Sequence, residues 1–173
     1  RVNTISDNPV DASQIMRMEA QLHDIEQFRR NGTFATTKLS VEDVAISTLR
    51  DTLTRAKGLA MTTTASSPAD PTRLAALSQA QTFKDQLVAL GNTRVGEQYI
   101  FGGDYRTAPP FQSNGTYVGN GGEQQVAITP GVKVSTAHAG GPLFTDAIAA
   151  IDNLVTQLQT GTPAQIAAAV ANI

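Results

Sequence analysis

Cysteine is absent from the 173 residues, and with it go disulfides, thiol catalysis and cysteine-built metal sites. That absence leaves the compartment open, since a cysteine-free chain suits the cytosol and the exterior alike. Tryptophan is also missing, and aromatics make up only 5% of a chain that is 40% hydrophobic. A core built this way rests on Leu, Ile, Val and Ala, as helix–helix seams usually do. Neither charge sign predominates: 13 Lys and Arg stand against 15 Asp and Glu, a formal net of −2. With no basic stripe interleaved with aromatics, no nucleic-acid partner is expected. No apolar run reaches the roughly 18 residues a membrane span needs, so no membrane insertion is expected. The chain opens at Arg1 without an initiator Met or signal peptide and ends at Ile173 inside a helical run. Both ends predict a piece of a longer protein.

What is present reads as one domain, or one domain with a small appendage. Ser6-Asp7-Asn8-Pro9 is a helix start, a capping side chain followed by Pro in the first turn. Ile15, Met18, Leu22 and Ile25 follow at spacings of 3, 4 and 3, one helical seam. The seam weakens through Arg29–Thr33 and resumes at Leu39, Ile46, Leu49, Leu53, Ala56 and Ala60. No proline lies between Pro9 and Pro68, which predicts a single helix of roughly 57 residues and about 85 Å. The alternative is two helices jointed near Gly32, where an interior Gly costs ~1 kcal/mol against Ala. A turn over Ala65–Pro71 leads into a second helix capped by Asp70 and opened by Pro71. Its apolar face is Leu74, Leu77, Ala80, Phe83, Leu87 and Leu90, and Gly91-Asn92 stops it. The short turn predicts antiparallel packing of the pair.

After Asn92 the pattern changes to short strand-like runs. Tyr99–Gly103, Tyr117-Val118, Gln125–Ile128 and Val132–Ser135 alternate with Gly119-Asn120-Gly121-Gly122 and Pro130-Gly131 turns. Gly119–Gly122 reads as a hairpin connection needing positive φ, without the Gly-Lys-Ser/Thr ending of a phosphate loop. From Pro142 helical spacing returns with Ile148, Ile151, Val155 and Leu158. Gly161 ends that helix and Thr162-Pro163 starts another. The fold class is therefore mainly α with a small β appendage, a long antiparallel helical rod over 1–95 and 142–173 carrying a β-rich unit over 96–141.

No chemistry-bearing constellation emerges, so neither a catalytic site nor a metal or other cofactor is expected. His23 and His138 are far apart, and no short-range ligand pair accompanies them. His23 reads as a solvated helical residue, and His138 lies in a glycine-rich loop. Ser135, His138 and Asp146 make a hydrolase trio only on paper, with no G-x-S-x-G elbow. Glu19, Asp24, Glu26, Glu42 and Asp43 lie among Lys and Arg on a helix, as a solvated face does. Asn31-Gly32-Thr33 and Asn114-Gly115-Thr116 match the short, common glycosylation acceptor pattern.

Three stretches together resemble a known family. Ser6-Asp7-Asn8-Pro9 is similar to the S-D-[DN]-P that opens the long first helix of flagellins and their relatives. Leu53–Ala60 is similar to the flagellin L-Q-R-x-x-E-L-A segment, departing from it at Gly58 where flagellins usually carry Glu. Leu90–Gly103 with Pro109-Pro110-Phe111 resembles the A-N-T-R-x-G-x-Y-[LI]-F-G-G…P-P-F of the flagellar hook-associated protein 3 (FlgL) family. The matching residues are Asn92, Arg94, Tyr99, Phe101, Gly102, Gly103, Pro110 and Phe111. Tyr117–Gly119 through Gly131–Val134 is similar to that family's Y-x-G…G-V-x-V region.

The resemblance implies a non-enzymatic, secreted subunit of the bacterial flagellum that self-assembles into the hook–filament junction. It implies a ring of copies, with flagellin, the first hook-associated protein and an export chaperone as partners. The expected assembly seam is Ile15, Leu22, Ile25, Leu39, Ile46, Leu49 and Leu53. Two alternatives stand beside this. One is a flagellin filament subunit, disfavoured by Tyr99–Gly103 and Pro109–Phe111. The other is an extracellular glycan-binding module built on Tyr99, Tyr105 and Tyr117, which needs an exposed tyrosine platform.

Overall fold

In the computed structural model the described residues are 9–64, 67, 69–104 and 107–173. The capping run at Ser6–Asn8, Tyr105, and Ala65, Ser66 and Pro68 of the first turn therefore lie outside them. Helix α1 (Pro9–Thr63) runs unbroken for 55 residues, about 82 Å at ~1.5 Å per residue. Gly32 does not break it. Asn31 beside it donates its side-chain amide to the Ala127 carbonyl at 2.8 Å, which ties the helix to a hairpin at this point.

Helix α2 (Pro71–Gly91) starts as its residues dictate: the Asp70 carboxylate accepts from the Thr72 N–H at 2.8 Å, and Pro71 fills the first turn. Asn92 closes it with its N–H on the last carbonyls. Strands β1 (Arg94–Val95) and β2 (Gln98–Tyr99) form a minimal antiparallel hairpin. Strands β3 (Gln124–Thr129) and β4 (Val132–Ala137) form a second, turning at Gly131 with φ +78°. Helix α3 (Gly141–Thr160) and helix α4 (Pro163–Ala171) complete the chain. Gly161 ends α3, and Thr162 with Gln165 makes a reciprocal cap for α4.

Three sequence readings change. Gly119, Gly121 and Gly122 do not take positive φ, which falls instead at Gly96, Gly103, Gly115 and Gly131. The 119–122 segment does not join paired strands. It links the Phe111–Tyr117 bridge to β3, and small residues are needed there because Gly119 lies against the Tyr117 ring and Gly122 against the Asp104 carboxylate. On α2, Leu74 is exposed while Arg73 is buried, because α3 packs on the Arg73 side. Glu42 is buried rather than solvated, since the segment after β4 covers it.

One core joins the elements. Ala45, Leu49, Ala56 and Ala60 of α1 meet Ala76, Ala80, Phe83 and Leu87 of α2, and Ile148, Ile151, Leu154 and Leu158 of α3. Small Ala side chains let the helix axes approach closely, and α4 adds Ile166 and Ala169. The scarce aromatics concentrate where the loop after β2 returns to the helices. Phe101 meets Phe144 edge-on at 4.8 Å between centroids, and Phe111 lies 5.0 Å from Tyr117 and 5.7 Å from Phe144.

Candidate assembly surface

The first half of α1 has little around it. Every residue from 13 to 27 is exposed, although isolated helices of this length are marginal in water. Ile15 is 48% exposed, and Met18, Leu22 and Ile25 are each 61% exposed. Their 3-4-3 spacing places them on one stripe, so four large apolar side chains face solvent in a row.

Further along α1 the expected seam changes character. Leu39 is at the edge of exposure, Ile46 and Leu53 are half-buried, and Leu49 is core. The structure thus separates Ile15, Leu22 and Ile25 from Leu49 and Leu53, which the protein's own helices already cover. Beside Ile25, an apolar groove opens between Phe28 and Gly32 of α1 and the hairpin tip at Ile128–Pro130.

The β3–β4 hairpin lies alongside α1, with β3 running in the opposite sense to the helix, and polar contacts hold it there. Asn31 binds the Ala127 carbonyl, as above. Seven residues on, Lys38 is fully buried and donates to Gln124 Oε1 at 2.6 Å and Gln98 Oε1 at 3.3 Å. Its ammonium also lies 5.0 Å from the Phe34 ring centre. One turn later the Glu42 carboxylate meets His138 Nδ1 at 2.8 Å. Glu42 Oε2 is buried with no hydrogen-bond partner among the described residues. Sequence reasoning missed all of this, because the partners lie 86 and 96 residues away. The one available signal was two oppositely charged residues one turn apart, Lys38 and Glu42.

The family-motif residues shape the loop that ends on the rod. Asn92 grips the Phe111 backbone at both ends of its amide, donating to the carbonyl at 2.8 Å and accepting from the N–H at 2.9 Å. Arg94 pairs with Tyr99 across the β1–β2 ladder, its guanidinium 5.2 Å from the ring centre. Phe101 and Phe111 are buried, Gly102 bridges Ala139, and Gly103 takes φ +65° against Asn120. The Pro110 carbonyl accepts from the Val118 N–H at 2.8 Å. The Tyr117 hydroxyl donates to the carbonyls of Asn120 at 2.9 Å and Phe101 at 3.2 Å. Burial raises its pKa above the usual tyrosine value, and a backbone hydrogen bond from Gly141 opposes that shift.

The paper trio is not assembled. Ser135 Oγ donates toward Glu123 at 3.4 Å, His138 is held by Glu42, and Asp146 lies exposed on α3. Tyr99 and Tyr117 are half-buried under Arg94 and Phe111 and form no open platform. His23 is exposed. Among the described residues no group of three or more potential metal ligands occurs, and no helix is long and apolar enough to cross a membrane.

Comparison with known proteins gives three findings. The sequence model of the bacterial flagellin N-terminal helical region matches residues 1–105. Flagellar hook-associated protein 3 of Salmonella typhimurium is 30% identical over 148 residues, and that of Escherichia coli K12 is 29% identical over 146. Each alignment covers 83% of this chain and 46% of the relative, so the chain spans about half their length. The crystal structure of Bacillus cereus FlgL superposes with a TM-score of 0.78 at 22% identity, over 93% of this chain and 80% of that one.

Proposed function

The chain belongs to the family of the bacterial flagellin N-terminal helical region, and on that premise we propose that it is a structural subunit of the flagellar hook–filament junction. In this reading it is exported, has no catalytic role, and assembles into a ring through rod-to-rod contacts. The first hook-associated protein lies on one side of the ring and flagellin on the other, and an export chaperone escorts the subunit. The rod is 1–95 with 142–173, and 96–141 is the outer unit. The similarity to two hook-associated proteins 3 favours the junction over a filament subunit.

The observation that carries the assembly reading is the uncovered stripe Ile15, Met18, Leu22 and Ile25 on a helix long enough to reach a neighbour. Burying the exposed half of four such side chains contributes about 3–6 kcal/mol. An aspartate within that stripe removes most of this and adds a desolvation cost. Leu22→Asp with Ile25→Asp, placed at the chromosomal locus, leaves the fold intact because neither side chain belongs to the core. The expected phenotype is hooks without filaments and unassembled flagellin in the medium. Normal filaments on the double variant refute the seam. Unassembled flagellin in the medium that peptide mass mapping identifies as this chain itself refutes the junction role and favours the filament subunit.

A further inference from the structure

Three Asn-Gly dipeptides occur in the chain, at 31–32, 114–115 and 120–121. This pair is chemically fragile because the glycine nitrogen is unhindered and can attack the preceding side-chain amide. The three sites differ in what the fold does to the nucleophile, the electrophile and the leaving group. Gly32 N–H is committed inside α1, and the Asn31 amide nitrogen is committed to the Ala127 carbonyl. Gly115 is buried, with Ile148 2.6 Å from where a Cβ would lie, and its N–H donates to the Gln112 carbonyl at 2.9 Å. Gly121 is exposed, has open space around it, and its N–H makes no hydrogen bond among the described residues.

The electrophile at the third site is also set up. Asn120 Oδ1 accepts from the Asp104 N–H at 2.8 Å and the Gly122 N–H at 3.2 Å. Two donors on that oxygen stabilise the negative charge it gains when the carbonyl carbon is attacked, as an oxyanion hole does. Asn114 Oδ1 has one such donor, the Thr116 N–H at 2.9 Å. The Asn120 amide nitrogen has no partner among the described residues, so it is free to leave.

We propose that Asn120-Gly121 is a self-modification site, at which the side-chain amide converts to a carboxylate through a cyclic imide. The Gly121 nitrogen bonds to Asn120 Cγ and its proton passes through solvent to the departing amide nitrogen. The Cγ–Nδ2 bond breaks and ammonia leaves. Water then opens the imide at one of its two carbonyls, giving aspartate or isoaspartate at 120. No oxidant or cofactor takes part. Either product adds one negative charge near Asp104 and Glu123. The isoaspartate also lengthens the backbone at the residue that clasps Asp104, Gly122 and the Tyr117 hydroxyl. The site is thus a clock on the clasp between the motif loop and β3, independent of how the subunit assembles.

The test is incubation of the folded protein in mildly alkaline buffer, with site-by-site conversion read by peptide mass mapping and isoaspartate detection. Conversion at Asn120 is expected about tenfold faster than at Asn31 or Asn114, the factor one net hydrogen bond on the nucleophile imposes. In urea the three sites should react at similar rates. Gly121→Ala, which meets nothing within 4 Å and needs no positive φ, should keep the melting temperature and slow conversion at 120 about tenfold, by crowding the nitrogen. Conversion at 114 or 31 as fast as at 120 overturns the proposal. So does a rate order that persists in urea, or an unchanged rate in Gly121→Ala.

Discussion

Replacing Arg73 by Met tests how the rod's far end is held. The Arg73 side chain is fully buried on α2 and runs into the C-terminal end of α3. Its guanidinium donates to the carbonyls of Leu158 at 2.8 Å, Gln157 at 2.7 Å and Gly161 at 2.6 Å. A helix ends with carbonyls that lack partners, and the dipole favours a cation there. In Arg73→Met the Gln157 carbonyl keeps its bond from the Gly161 N–H at 2.8 Å, while those of Leu158 and Gly161 lose this donor. Two buried carbonyls stranded at ~1–3 kcal/mol each, less the relief of no longer desolvating a guanidinium, give a net loss of about 3 kcal/mol. With a urea slope near ~2 kcal/mol/M, the midpoint should fall by about 1.5 M without a change in slope. Arg73→Lys should recover only part of this, because an ammonium lacks the planar fork that spans several carbonyls. A loss below ~1 kcal/mol for Met would show that desolvation cancels the bonds, and would refute the capping account.

Gly32 and Gly58 lie in α1 with nothing within 4 Å of an added Cβ. Changing both to Ala should raise stability by about 1–2 kcal/mol and the melting temperature by roughly 4 °C, measured by circular dichroism; a drop would mean the helix is strained there. Tyr117 is held neutral by burial, its pKa raised above the unfolded value of 10.0. Its contribution is therefore full below about pH 10 and lost as pH rises through the folded pKa. Alkaline unfolding followed by urea midpoints should show this loss in the wild type and not in Tyr117→Phe.

Much of the scaffold was legible because local rules decide it. Asp70-Pro71, Pro130-Gly131 and Thr162-Pro163 each punctuate the chain where their side chains demand, and the proline-free run became one helix. The faces of α1 were less legible. This helix meets α2, α3, α4 and both hairpins at different heights, so its apolar residues follow no single stripe. Ile15 and Leu49 carry similar hydrophobicity, yet one faces solvent and the other is core. Glu42 looked solvated because charge usually is, and its partner at 138 arrives from distant sequence, as do the partners of Arg73 at 157–161. The apolar stripe on α1 could be read as a pattern, but its exposure could be known only once the neighbours were placed.

The contacts at Asn31, Lys38 and Glu42 have a mechanical meaning. Apolar side chains on two packed elements can slide past each other by a turn and find new contacts of nearly equal energy. Hydrogen bonds at 2.6–2.8 Å cannot, because a shift of one residue breaks each of them and strands buried polar groups. The hairpin is therefore pinned along α1 at three heights about two turns and one turn apart, like a rack engaged with its pinion. Shear applied along the long helix reaches the hairpin without slip, so helix and hairpin deform as one stiff body rather than creeping along the seam between them.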